Sequence, residues 1–179
     1  MNFDRNEQQR LLAESFERFV RKDYSFRERS RILASGIGIS DRVWSAFADM
    51  GLLGMSIPVE YGGFGGGADD LVDIMESMGH ALVVEPYVPT VGIGARLVAR
   101  AGNERQKQAI LPAVIEGRMK IALAQLERGA RYDLAEVRTN ARRYANGWVI
   151  NGEKRLVLHA PNADRLIVPL RTPGSDAGR

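Results

Sequence analysis

The sequence predicts an α+β multidomain protein, with an all-α domain over residues 1–119 and part of a β domain over residues 120–179. Up to Gly117, apolar residues recur at helical spacing between capping residues and glycines. Beyond Gly117 the pattern changes to short apolar runs, which are typical of strands. About four such runs are few for a closed sheet, so we expect the sequence to be the front portion of a longer chain.

The composition argues against several classes of function. The chain has no cysteine and only two histidines, which disfavours disulfide scaffolds, thiol catalysis, iron–sulfur clusters and Cys/His zinc sites. Its 25 Lys and Arg residues are scattered among 22 Asp and Glu residues, so no nucleic-acid partner is expected. Neither a secretory signal nor a run of about 18 apolar residues is visible. We therefore expect a cytoplasmic protein without a membrane span.

Two helices are predicted in the first 51 residues. The first begins at a capping box, Asp4-x-x-Glu7, and closes near Asp23. Its apolar face consists of Leu11, Leu12, Phe16, Phe19 and Val20. The second begins at the N-cap Ser40 and ends at Gly51, which suits a left-handed C-cap. Its apolar face consists of Val43, Trp44, Phe47 and Met50.

Three more helices and four strands follow a glycine-rich loop at residues 57–67. Asp69 or Asp70 is predicted to cap a third helix, which carries Leu71, Ile74, Met75 and Met78. After Pro86 and Pro89 break the chain, a fourth helix covers about residues 91–101, and a fifth runs over residues 104–115. The predicted strands are residues 121–124, 148–150, 156–158 and 166–168, with a turn at Asn151-Gly152.

Few residues suggest chemistry on their own. The glycines of residues 62–67 precede a helix, as in phosphate loops, but no Lys-Ser/Thr and no strand accompany them, which favours a flexible interhelix loop. Gly92-Ile93-Gly94 is interpreted as a small-residue contact within a helix. His80 is assigned a structural role at a helix end, and His159 is interpreted as a surface residue at the end of a strand.

Short motifs follow one another in order along the chain. The clearest are Trp44-x-x-Phe47-x-x-Met50-Gly51-Leu52-Leu53-Gly54, Pro58-x-Glu60-Tyr61-Gly62-Gly63-Phe64-Gly65, Gly102-Asn103-Glu104-x-Gln106-Lys107 and Gly147-Trp148-Val149-Ile150-Asn151-Gly152-x-Lys154. Each is weak alone, but the ordered series resembles the flavin-dependent acyl-CoA dehydrogenase family over nearly the whole chain. Val83-Val84-Glu85-Pro86-Tyr87 and Ala130-Arg131-Tyr132-Asp133-Leu134-Ala135 look most like pimeloyl-CoA dehydrogenase small subunits.

The resemblance implies an N-terminal helical domain, a middle β-barrel domain of which this chain holds the first strands, and a C-terminal helical bundle that the chain lacks. Family members form dimers or tetramers and use FAD to convert an acyl-CoA into the trans-2-enoyl-CoA. Their usual electron acceptor is an electron-transferring flavoprotein. Their catalytic base, a carboxylate of the C-terminal bundle, would lie beyond Arg179, so no catalytic residue is expected here.

The resemblance also assigns site positions. The cofactor-binding positions are Leu123, Gln125, Leu126, Leu156 and Leu158, and the substrate-binding position is Tyr132. Where the family places flavin-facing hydroxyls, this chain has Leu126 and Leu158, and Leu156 replaces a ring-shielding tryptophan. Main-chain amides can still bind a flavin, so three hypotheses stand: a dehydrogenase subunit, a non-catalytic small subunit that supports a catalytic partner, and an unrelated helical interaction module.

Overall fold

The computed structural model describes residues 7–131 and 133–174. Within these ranges six α-helices precede four strands, and a π-helical segment, Val88–Ala95, runs directly into the fifth helix. The helices are α1 Glu7–Asp23, α2 Phe26–Ala34, α3 Asp41–Asp49, α4 Asp69–His80, α5 Arg96–Ala101 and α6 Glu104–Ile115. The strands are β1 Ile121–Leu123, β2 Asn140–Tyr144, β3 Gly147–Asn151 and β4 Arg165–Ile167.

The starts of α3 and α6 follow from their capping residues. Ser40 Oγ accepts a hydrogen bond from the amide of Val43, which confirms the predicted N-cap of α3. Gly51, just after α3, adopts a left-handed conformation with φ of 77°, as predicted. At α6, Asn103 and Gln106 form a reciprocal capping box, in which each side chain accepts from the other residue's amide at 3.0 and 2.9 Å.

Two helix starts differ from the sequence prediction. Helix α2 was not predicted, although Ser25 caps it by accepting from the amide of Glu28. The predicted cap of α4 is wrong, because no side chain caps that helix and Asp70 instead reaches back to accept from the amide of Gly67 at 2.7 Å. The predicted Asp4 cap of α1 lies outside the described residues.

The helix predicted from residue 91 begins three residues earlier. Pro89 lies in the first turn of the π-helical segment, where its missing amide proton costs no intrahelical bond. The backbone of this segment packs closely on β1. A Cβ added at Gly94 would lie 2.7 Å from Ile121 Cγ2, so Gly94 is the small-residue contact that the sequence predicted.

The core lies among the helices and contains an aromatic cluster of Phe16, Trp44, Phe47 and Tyr87, all at most 1% exposed. The polar atoms of its two larger members are satisfied. Trp44 Nε1 donates to the carbonyl of Gly117, and the Tyr87 hydroxyl donates to the carbonyl of Leu52, both at 3.0 Å. Burial of these rings fixes how α1, α3 and the chain before α5 pack together.

The four strands form two separate pairs. β1 and β4 are parallel, with Ile121 opposite Arg165, and β2 and β3 are antiparallel, with Asn140 opposite Asn151. The Thr90 hydroxyl donates to the carbonyl of Ile121 and accepts from its amide, both at 3.1 Å. This buried pair of bonds attaches β1 to the π-helical segment.

Three predictions about the strands are wrong. Residues 156–158 form no strand, because Leu156 and His159 have φ of 50° and 57°, which interrupts extended backbone. The hairpin turn lies between β2 and β3, at Ala145 with φ of 47°, rather than at Asn151-Gly152. β2 was not predicted, because its sequence, Asn140-Ala141-Arg142-Arg143-Tyr144, contains no apolar run. The predicted strand near residue 166 is confirmed as β4.

Candidate functional site

Two predicted cofactor positions line a largely apolar cavity of about 670 Å3 between α5, α6 and the β1–β4 pair. Leu123 and Gln125 both face it, together with Val98, Ile110 and Ile167. The side-chain nitrogen of Gln125 donates one of its two N–H groups to the carbonyl of Leu134 at 2.9 Å, so part of its donor capacity is already used. The cavity therefore offers an apolar surface with few free polar groups.

The other three predicted cofactor positions, Leu126, Leu156 and Leu158, lie outside this cavity. Leu126 is half-buried, whereas Leu156 is 84% and Leu158 is 67% exposed. The main chain nevertheless brings the two segments together, because the amide of Arg155 donates to the carbonyl of Leu126 at 2.8 Å. The predicted substrate position, Tyr132, lies outside the described residues.

A buried ion pair joins the same two segments. Lys154 Nζ donates to Glu127 Oε1 at 2.7 Å, and the two side chains are 9% and 4% exposed. The amides of Arg138 and Thr139 also donate to this carboxylate, at 2.7 and 3.0 Å. Lys154 ends one of the motifs of the sequence analysis, but only the fold pairs it with Glu127, since the two residues are 27 positions apart.

These donors set the charge of Glu127. Burial alone would raise its pKa, but the ion pair with Lys154 and the hydrogen bonds from the amides of Arg138 and Thr139 outweigh burial and lower the pKa to about 2. The carboxylate is therefore ionised at neutral pH. Removing one partner of such a pair costs about 3–5 kcal/mol, because the other charge is left buried without compensation.

The hydrogen-bond donors at the three predicted leucine positions outside the cavity determine how these positions could hold a flavin. Leu126, Leu156 and Leu158 have no side-chain donors, and their amides make no hydrogen bond to any other described residue. A bound isoalloxazine ring needs donors near its nitrogen and oxygen atoms. These positions therefore offer a flavin unbonded main-chain amides, and apolar side chains occupy the places where the family resemblance predicts hydroxyls and a ring-shielding tryptophan.

The glycine-rich loop is an interhelix loop, as predicted. The amides of Phe64, Gly65 and Gly66 donate to the carbonyls of Gly54, Ile57 and Met55 at 2.8–3.0 Å. Donors that are satisfied within the chain are not available to a phosphate. The loop therefore folds against the turn that follows α3.

The two histidines lie apart from these positions. His80 is in the last turn of α4, with Nε2 3.9 Å from Glu76 Oε1. His159 was predicted at the end of a strand, but the structure has no strand there, and the residue is half-buried in a left-handed conformation. Burial lowers the pKa of His159, which favours the neutral ring at pH 7. Among the described residues no group of three or more His, Cys, Asp or Glu side chains could hold a metal ion.

Comparison with known proteins agrees with this architecture. Residues 6–118 match the family model described as "Acyl-CoA dehydrogenase, N-terminal domain". Six helices followed by two pairs of strands define an α+β chain, and the helical part of that chain is the part that this model matches. The chain belongs to the acyl-CoA dehydrogenase family.

Individual relatives cover most of this chain. Mitochondrial isovaleryl-CoA dehydrogenase of Pongo abelii is 30% identical over 93% of the chain and 40% of its own length. An acyl-CoA dehydrogenase of Bacillus anthracis complexed with FAD is 30% identical, with a TM-score of 0.82, over 96% of this chain and 30% of its own. A chain of the ChsE4-ChsE5 complex of Mycobacterium tuberculosis is 26% identical, with a TM-score of 0.83, over 100% of this chain and 46% of its own length.

The chain therefore spans about 40% of the length of the curated relatives it matches. No helix in the part of the chain that the structure describes is long and apolar enough to cross a membrane.

Proposed function

We propose that this chain is the N-terminal helical domain, residues 1–119, and the first part of the middle β domain of an FAD-dependent acyl-CoA dehydrogenase subunit. The reaction is α,β-dehydrogenation of an acyl-CoA thioester to the trans-2-enoyl-CoA. Family membership supports this proposal, because the matched relatives include isovaleryl-CoA dehydrogenase and a structure complexed with FAD. The observation that supports the proposal most directly is that the predicted positions Leu123 and Gln125 line the same apolar cavity.

The residues of this chain bind and orient rather than transfer protons. Main-chain amides at Leu126, Leu156 and Leu158 would hold the flavin, and the apolar side chains of the same residues would exclude water from it. When bound, FAD would supply the acceptor for the hydride from the β carbon of the substrate. The base that removes the α proton is proposed to lie beyond Arg179, in the C-terminal bundle of the full chain.

The substrate is proposed to be a dicarboxylyl-CoA such as pimeloyl-CoA. Its support is the sequence likeness at residues 83–87 and 130–135 to pimeloyl-CoA dehydrogenase small subunits. The subunit assembles as a homo- or hetero-oligomer with another acyl-CoA dehydrogenase subunit and passes electrons to an electron-transferring flavoprotein. A comparison of kcat/KM for pimeloyl-CoA and isovaleryl-CoA tests the substrate, and equal values would contradict the dicarboxylyl preference.

The flavin content of the full-length protein tests the function. The protein would be purified alone and together with the product of its neighbouring gene, and the ratio of FAD to subunit would be measured by flavin absorbance. One FAD per copy in the protein alone is expected for a self-sufficient dehydrogenase. No FAD in either preparation would contradict the proposed function.

A second candidate is a non-catalytic small subunit that completes the flavin site of a catalytic partner. The observation that favours it is the loss of the two predicted flavin-facing hydroxyls, at Leu126 and Leu158, and of the ring-shielding tryptophan, at Leu156. The solved relatives include one named as a complex of two components, ChsE4 and ChsE5. In this case FAD is found in the co-purified complex alone, at one per pair of subunits.

The substitutions Leu126→Thr and Leu158→Thr separate the two candidates. If these positions contact the flavin of a catalytic subunit, each added hydroxyl changes FAD affinity by about 0.5–1.5 kcal/mol, the usual value of one hydrogen bond. If the subunit is non-catalytic, the activity and FAD affinity of the assembled complex stay unchanged. The exposed Leu33 offers a matched control, Leu33→Thr, on α2.

A further inference from the structure

The carboxylate of Glu127 closes a ten-residue loop. The chain leaves at Glu127 and returns at Arg138, whose amide donates to Glu127 Oε2. The returning part of the loop is held separately, since Arg171 Nε donates to the carbonyl of Val137 at 2.7 Å and Gln125 to that of Leu134. The described residues of this loop, 128–131 and 133–137, are therefore bonded to the rest of the chain from both sides, and the buried carboxylate of Glu127 makes the bonds where the loop closes.

Glu127 also links this loop to the segment after β3. Its ion pair with Lys154 lies next to the bond from the Arg155 amide to the Leu126 carbonyl. The adjacent residues Leu126 and Glu127 are thus bonded to the adjacent residues Arg155 and Lys154 of the other segment. The predicted flavin-facing position Leu126 makes one of these two bonds through its carbonyl, and the predicted position Leu156 directly follows Arg155.

We propose that Glu127, through Lys154, is a positioning residue that sets the spacing between the two segments that face the flavin. This inference rests on the proposed function. A flavin held by main-chain amides depends on backbone position, because an amide cannot adjust by a side-chain rotation. The chain lacks side-chain donors at these positions, and the buried ion pair supplies the rigidity that main-chain binding requires.

The test uses the full-length protein, with its partner subunit if flavin binding needs one. The variants are Glu127→Gln and the double variant Glu127→Gln/Lys154→Met, which leaves no unpaired buried charge and is therefore expected to fold. Glu153→Gln is the matched control, because Glu153 pairs with Arg155 at 2.7 Å in the same segment but is exposed. Lys154→Arg keeps the charge and serves as the conservative variant.

Two measurements are made below the melting temperature of every variant. Titration with FAD, followed by flavin fluorescence and absorbance, is expected to show affinity weakened about tenfold or more and a shifted absorbance band in both Glu127 variants. The control stays close to the wild type, and Lys154→Arg recovers most of the affinity. Without FAD, hydrogen exchange of the Arg138 and Thr139 amides is expected to accelerate in the Glu127 variants alone.

The results that would contradict the inference can be distinguished from those that would contradict the proposed function. If the double variant binds FAD with the affinity and absorbance of the wild type, the pair only stabilises the fold and the inference is wrong. If the wild-type protein binds no FAD, alone or with its partner, the proposed function fails and the inference fails with it. Unchanged exchange at Arg138 and Thr139 in Glu127→Gln would show that the carboxylate does not hold the loop, whatever the flavin result.

Discussion

At the scale of single residues, Glu85 and Glu127 are both buried carboxylates, yet their surroundings move their pKa values in opposite directions. Glu127 is surrounded by donors, and its pKa falls to about 2. Glu85 is 4% exposed and accepts from the amide of Ser40 through Oε1, while its Oε2 has no hydrogen-bond partner among the residues that the structure describes. Burial raises the pKa of Glu85, although Tyr24 and the Ser40 amide oppose the shift.

The raised pKa of Glu85 predicts a pH dependence of stability. Because the protonated form is favoured in the fold, the contribution of Glu85 is full below its unfolded pKa near 4.5 and is lost as pH rises through the folded pKa. Glu85→Gln removes this loss, so its free energy of unfolding, relative to the wild type, is expected to increase with pH above 4.5. Urea unfolding at several pH values measures this. A parallel response of the wild type and Glu85→Gln would contradict it, and Glu60→Gln, at an exposed glutamate, is the control.

The lowered pKa of Glu127 predicts a pH dependence of stability with the opposite sign. Its contribution is full above the unfolded pKa near 4.5 and is lost as pH falls from there toward about 2. The wild type is therefore expected to lose stability relative to Glu127→Gln/Lys154→Met as the solution is acidified below pH 4.5. Acid unfolding followed by circular dichroism checks this, and identical acid transitions would contradict it.

At the scale of elements, the contact between the π-helical segment and β1 depends on Gly94. Alanine at this position would place its Cβ 2.7 Å from Ile121, in a buried interface where neither backbone can easily move. Gly94→Ala is expected to destabilise the protein by about 1–3 kcal/mol, the usual cost of overpacking. Gly92→Ala is the matched control, because its Cβ would make an ordinary 3.9 Å contact with Val88. Thermal unfolding of both variants measures the difference, and equal melting temperatures would contradict the prediction.

Element starts were predictable where the signal is local. The caps at Ser40 and Asn103 depend on side chains within three residues, and the structure confirms the helices that follow them. The strand predicted at residues 156–158 failed because an apolar run by itself does not supply a pairing partner. Leu156 and Leu158 are exposed instead, and the backbone turns through positive φ at Leu156.

At the scale of the whole molecule, burial is unevenly distributed between the helices and the strands. α3 has Val43, Trp44 and Phe47 at most 1% exposed, whereas every residue of β3 is exposed. Ten large apolar side chains are exposed among the described residues up to 119, and eight are exposed in the much shorter stretch of residues 120–174: Leu134, Tyr144, Trp148, Val149, Ile150, Leu156, Leu158 and Leu166. The β2–β3 hairpin is consequently the less protected part of the described fold.

Hydrogen exchange tests this difference. Amides of α3 are expected to exchange only through global unfolding, and those of β3 at least about tenfold faster through local opening. Exchange followed by mass spectrometry on residues 1–179 measures both. Equal protection of the two elements would contradict the prediction.

The sequence by itself determined the class of fold, the family and most of the helix boundaries, because helical periodicity, capping residues and ordered motifs are all local along the chain. It also showed that leucines occupy positions where the family resemblance predicts flavin-facing hydroxyls. The tertiary structure decided which of these positions come together: Leu123 and Gln125 at the cavity, and Leu126 beside the Lys154–Arg155 segment. It also paired Glu127 with Lys154. Such pairings depend on how separate segments cross in space, and local spacing along a chain contains no information about that crossing.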